Sequence, residues 1–202
     1  MHGGFRGLLH NEVVALLGSA CREAGYRDVA YEHVLQPLQG EGGSFRHKSA
    51  VSEDGARTDV RVLGFWTKWR QAHFDVTAFS PFAKTYRNTK FESVYRQLEK
   101  RKQRKYSERI RQVEHGDFSP LVFAIAGGMG PQASCVVKRI GQKLAEKKGL
   151  PISVVLGWLN CRISFAMLRS SLVCLRGSRP YRPRNDDFVV DLAVSEARIE
   201  RG

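Results

Sequence analysis

From residue 8 to 23 apolar side chains recur at helical spacing. Leu9, Val13, Leu16, Leu17 and Ala20 share one stripe, which predicts an amphipathic helix. Glu12, four residues from both Leu8 and Leu16, falls in or beside that stripe, where a carboxylate is unfavourable without a partner. It is either an edge residue reaching solvent or Arg6, or a carboxylate aimed into a site. Residues 29–38, closed by Pro37, predict a first strand, and the Gly-, Ser- and charge-rich residues 40–55 predict a loop. Residues 57–79 then alternate with period two in two runs joined by a short break. In the first run Val60 and Val62 oppose Asp59, Arg61 and Leu63; in the second Phe74, Val76 and Ala78 oppose Asp75, Thr77 and Phe79. If these strands pair antiparallel, Asp59 and Asp75 can face the same side of one sheet.

Residues 80–90 form a polar loop, and 90–115 a long charged helix. On that helix Val94, Tyr95, Leu98, Lys102, Lys105, Arg109 and Val113 fall on one face. Lys102 and Lys105 therefore lie in the stripe that should meet the sheet, with Tyr106 beside them. They either meet carboxylates or phosphate there, or run their stems inward and keep their charges in water. Gly116 and Asp117 end this helix, and the apolar run from Phe118 predicts a buried strand. Gly127-Gly128-Met129-Gly130 lacks the spacing of a phosphate-binding loop and reads first as a tight turn. Two helices follow, 133–148 and 153–175, the second apolar enough to be deeply buried; Asn160, Arg162 and Arg169 argue against a membrane span. The order helix, strand, strand, strand, helix, strand, helix, helix predicts an α/β domain over residues 1–178, with a mixed central sheet flanked by helices. Residues 179–202 read as a basic, polar tail in which 189–199 could add a short element.

Charge sharpens this picture. Thirty-three Lys and Arg against 20 Asp and Glu give a formal net charge of +13, which points to a polyanionic partner, nucleic acid first. The four cysteines, Cys21, Cys135, Cys161 and Cys174, are widely spaced and form no zinc-type pair, so they read as buried thiols of an intracellular protein. The N-terminal apolar run is too short for a signal peptide. In a basic chain, converging Asp59 and Asp75 suit a hard divalent cation. Between them, Trp66, Lys68, Trp69 and Arg70 form either a tip that touches DNA or a loop folded on its own tryptophans.

The αβββαβ order, with Glu12 on the first helix and carboxylates on the second and third strands, resembles the PD-(D/E)XK restriction-endonuclease-like superfamily. Arg57-Thr58-Asp59, then Asp75-Val76-Thr77, then Lys102-Gln103-Arg104-Lys105-Tyr106 resemble more closely the endonuclease domains that accompany the reverse transcriptase of site-specific non-LTR retrotransposons. This resemblance implies a PD-(D/E)XK fold and an endonuclease that nicks DNA by phosphodiester hydrolysis, using Mg2+ or Mn2+ held by Asp59, Asp75 and Glu12. It further implies an associated reverse transcriptase and element RNA as partners; nuclear residence is expected only from the DNA target, and no membrane is expected. Thr77 stands where the superfamily carries a catalytic lysine, so Lys102 or Lys105 is expected to supply that group from the following helix. Arg57, Lys68, Arg70, Lys84, Arg87 and Lys90 are the expected DNA contacts. The other reading is a basic nucleic-acid-binding module without catalysis, with Asp59 and Asp75 in structural ion pairs.

Overall fold

The computed structural model describes residues 4–35 and 56–175. It contains α1 (Gly4–Glu23), β1 (Val29–Val34), β2 (Arg57–Leu63), β3 (Gln71–Phe79), α2 (Phe91–Gln112), β4 (Asp117–Ala124), α3 (Pro131–Lys148) and α4 (Ile152–Leu175), in the order the periodicity predicts. The continuation of β1 to residue 38, the loop at 40–55, the tail boundary at 178 and the element at 189–199 lie outside the described residues.

The four strands form one mixed sheet in the order β1-β2-β3-β4. β1, β2 and β3 pair antiparallel, and β4 joins β3 in parallel after the α2 crossover. Period-two alternation then assigns the two faces. Val60, Val62, Ala72, Phe74, Val76, Leu121 and Phe123 meet α1, α3 and α4 in the main core. On the other face Phe79, Val122 and Ala124 pack against Val94 and Leu98 of α2, and Phe118 packs beside Tyr106 and Ile110 further along the helix. The sheet is thus sandwiched between three helices and one, an α/β arrangement with helices on both faces.

Two expectations change. The helix α4 is not deeply buried. Val155, Leu159, Ile163 and Met167 pack inward at helical spacing, whereas Phe165 is 68% and Leu168 54% exposed. Its span Ile152–Val173 is long and apolar enough to cross a membrane by length and composition, but only 28% of it is buried. An all-round apolar sequence does not say which of its faces will be covered. Of the cysteines, Cys21 is buried, and burial pushes its thiol pKa up to about 12, whereas Cys135 and Cys161 are exposed; the side chain of Cys174 lies outside the described residues.

The glycine cluster before α3 is a turn with a packing reason. Gly127 has φ +98°, a conformation glycine adopts without strain. A Cβ on Gly130 would come within 2.6 Å of Glu99 Oε1. That carboxylate oxygen accepts the Gln132 N–H at 3.0 Å, at the start of α3. The helix N-terminus is therefore occupied by the chain's own carboxylate, whose pKa is raised by burial.

Candidate active site

The ladder between β2 and β3 runs from Leu63↔Gln71 to Val60↔Phe74 and stops there. One more step in the same register would set Asp59 opposite Asp75. Instead the strands part, and the Asp59 side chain fills the gap: its Oδ2 accepts the backbone N–H of Val76 at 2.5 Å. Asp59 thus replaces a missing rung of the sheet, satisfying a donor that would otherwise be buried unpaired. Its Oδ1 turns to α1, where His10 Nε2 lies 3.1 Å away. Because a strand residue's N–H and C=O point the same way, the Val76 carbonyl faces the same opening.

Asp75 meets the other layer. Its side chain is 5% exposed, and Lys102 Nζ of α2 stands 2.8 Å from its Oδ2. Beyond that ammonium, Oδ2 has no hydrogen-bond partner among the described residues. Burial raises the Asp75 pKa, the Lys102 charge pulls it back, and the nearby negative charge of Asp59 raises it again. Tyr106 closes the floor; its phenol pKa is raised by burial first and by the Asp75 charge next. The two aspartates, Lys102 and Tyr106 therefore share one electrostatic neighbourhood. Lys105 does not enter it. It is exposed, with its ammonium 4.7 Å from the Tyr106 ring centroid. Thr77 Oγ1 is buried without a hydrogen-bond partner among the described residues.

Glu12 is the residue the structure moves away from the site. It faces α4, where Ser170 Oγ donates to its Oε2 at 2.8 Å and Arg169 pairs with its Oε1 at 3.2 Å. His10, which the sequence reading passed over, takes the position beside Asp59, and its pKa is raised chiefly by the hydrogen bond to that carboxylate. At about 100° per residue, His10 and Glu12 flank the α1 stripe on opposite edges, roughly 160° apart. Only the packing of α1 decides which edge meets the sheet and which meets α4. Glu12→Gln is therefore expected to lower stability by roughly 1 kcal/mol while leaving chemistry at the aspartates within about twofold. His10→Ala, which removes the group beside Asp59 Oδ1, should instead act on the aspartates directly and cost most stability at acid pH; urea titrations of both variants at pH 7 and 5.5 separate the two roles.

The expected nucleic-acid contacts divide by position. Leu63↔Gln71, the last rung before the β2–β3 tip, is four residues from each aspartate, so the tip stands about 13 Å or more away. There Trp66 is structural, edge-on to Phe65 and donating from Nε1 to Ser119 Oγ at 3.3 Å, while Trp69 is 78% exposed beneath Lys68. Arg70 is held by Asp117 and the Gly116 carbonyl, both at 3.2 Å. Arg57 lies 3.6 Å from Glu32. Lys84, Arg87 and Lys90 are exposed beyond the other end of β3. Lys68 and these three cations therefore flank the carboxylates from opposite ends of one strand.

Among the described residues no group of three or more His, Cys, Asp or Glu side chains is arranged to hold a metal ion. No family model matches the chain, and no curated protein matches it.

Proposed function

We propose that the chain is a metal-dependent DNA endonuclease of the PD-(D/E)XK type, nicking DNA by phosphodiester hydrolysis. The observation that carries this reading is the Lys102–Asp75 ion pair, across the parted strands from Asp59, in a sheet whose order and strand directions suit that fold. The donors fit Mg2+ or Mn2+. Both carboxylates offer hard oxygens, Asp75 Oδ2 is committed to nothing but an ammonium, and Mg2+ needs only one or two carboxylates because it keeps several waters. Asp59 and Asp75, with the Val76 carbonyl, would hold the ion. When bound, it would lower the pKa of a coordinated water and neutralise charge on the phosphate.

The remaining roles follow from the geometry. The Val76 N–H and His10 hold Asp59 in one orientation, so its free lone pairs are fixed before substrate arrives. Lys102, its side chain 22% exposed, brings positive charge to the rim of Asp75, where a scissile phosphate would sit, and takes the role of the lysine absent from position 77. Lys68 at one end of β3 and Lys84, Arg87 and Lys90 at the other would receive the backbone on either side. By the same resemblance, a nick leaving a 3′-hydroxyl would suit extension by a reverse transcriptase.

The test compares two lysines three residues apart. With supercoiled plasmid and Mg2+, Lys102→Gln should reduce nicking about 100-fold, while Lys105→Gln should stay within a few-fold of the parent. A protein that retains plasmid in a gel yet never cuts it, with Mg2+ or Mn2+, would be a binding module on which Asp59 and Asp75 serve the fold alone.

A further inference from the structure

The turn between β3 and α2 carries a feature that phosphate contacts do not explain. Phe82 is 79% exposed and Phe91 56% exposed, and both line one cleft of about 350 Å³ together with Pro81, Tyr86, Arg87 and Lys90. A single exposed phenylalanine is ordinary; two on the walls of one cleft, with three cations on the same turn, are a candidate for recognition. The turn is organised. Ala83, Tyr86 and Thr89 each donate their N–H three residues back, to Ser80, Ala83 and Tyr86, and the Tyr86 ring packs edge-on against Phe79 at 5.5 Å. Across residues 80–92 the charges are Lys84, Arg87 and Lys90 against Glu92 alone.

Aromatic rings flanked by cations suit a ligand with flat π-faces joined by negative charge. Nucleic acid has both, but in a duplex the base faces are covered by their neighbours, so only an unpaired base can enter between rings. Phe79 lies four residues beyond Asp75, which sets the cleft roughly 15–20 Å from the carboxylates, about four to six nucleotides at a stacked rise of 3.4 Å. We propose that the Phe82–Phe91 cleft binds unpaired nucleobases, with Lys84, Arg87 and Lys90 holding the adjoining phosphates. The preferred substrate is then a strand that is open near the cut. This inference rests on the nuclease reading for its choice of polyanion and adds to it the state of the strand.

Binding is measured without cutting, by fluorescence anisotropy in EDTA, with a labelled 20-nucleotide oligothymidylate and a labelled duplex of the same length. The doubly substituted Phe82→Ala, Phe91→Ala protein should lose at least tenfold in affinity for the single strand and less than twofold for the duplex. Its dependence on salt should be unchanged, because no phosphate contact is removed. Lys84→Gln, Arg87→Gln and Lys90→Gln together should weaken both ligands and flatten the salt slope by about 2 to 3. Phe82→Trp with Phe91→Trp should retain or tighten single-strand binding, whereas leucine at both positions should not. Both side chains are exposed, so the melting temperature should not move; a loss of binding that tryptophan does not rescue, an equal loss on both ligands, or no loss at all overturns the proposal. A chain that binds single strands through these rings yet never nicks leaves this site standing and removes the nuclease, and the opposite result does the converse.

Discussion

Asp75→Asn should abolish Mg2+-dependent nicking, by on the order of 10³-fold or about 4 kcal/mol of barrier, and should raise the melting temperature rather than lower it. The two effects have one cause. For a carboxylate 4% exposed burial disfavours the charged form, and the nearby Asp59 adds to that; Lys102 and, less, His10 work the other way, and the pKa is raised on balance. Asparagine keeps the shape and removes the charge, and relief of such a site is commonly worth on the order of 1 kcal/mol. Thermal unfolding followed by circular dichroism and a plasmid-nicking assay on the same preparation provide the check. A variant that melts markedly lower would mean that the Lys102–Asp75 pair serves the fold, and the loss of nicking would then carry no weight.

The second large effect concerns acid. His73 is fully buried on β3. Its Nδ1 lies 3.2 Å from Thr58 Oγ1, and its ring is 5.4 Å from that of His33. A Cβ on Gly116 would fall 2.9 Å from its Cδ2, so the pocket has no slack on that side. Burial first, and the neighbouring His33 next, lower its pKa to about 4; Glu114, 3.5 Å from His33 Nε2, works the other way, and Arg61 adds to the lowering. Above pH 6.5 the ring is neutral in folded and unfolded chains alike and contributes nothing to pH dependence. Between 6.5 and 4 the unfolded chain takes up a proton that the folded chain refuses, so stability falls as pH falls. The loss should approach roughly 3 kcal/mol near pH 4. His10 opposes this, because its pKa is raised and protonation favours the folded form. Urea titrations at pH 7, 5.5 and 4.5 on the parent and on His73→Gln therefore isolate the buried ring. The variant should be less stable at pH 7, and its deficit should shrink toward pH 4.5. A deficit that stays constant with pH would show that His73 takes up its proton in the folded state.

The order of elements was legible because each strand and helix carries its own period, and that period needs no knowledge of neighbours. The pairing of Asp59 with the next residues of β3 was half legible. Alternation sets both aspartates on one side of the sheet, but the parting of β2 from β3, which makes Asp59 a rung of the sheet and turns its other oxygen to α1 while Asp75 meets α2, leaves no mark in the pattern. The choice between Lys102 and Lys105 was hidden by twist. With Leu98 as origin, Lys105 lies about 20° from it and Lys102 about 40°, so the wheel slightly favours the lysine that does not reach Asp75. Along α2 the buried direction drifts, from Val94 and Leu98 to Tyr106 and Ile110, as the helix follows a twisted sheet. Lys102 stays within that moving face and Lys105 is carried off it. Glu12 and His10 were symmetric about their stripe, and no local rule could rank them.

The hydrogen bond from Val76 to Asp59 gives the two aspartates different histories under mutation. Asp59 completes the sheet, so its role in the fold does not depend on any activity of the chain. Asp75 bonds no backbone group and pairs with Lys102 alone, and burial raises its pKa, so a copy no longer selected for cutting would be expected to lose it at little cost to the fold. A line of copies losing activity should therefore shed the second aspartate early and keep the first. On the nuclease reading, the presence of Asp75 would therefore say more about retained activity than the presence of Asp59.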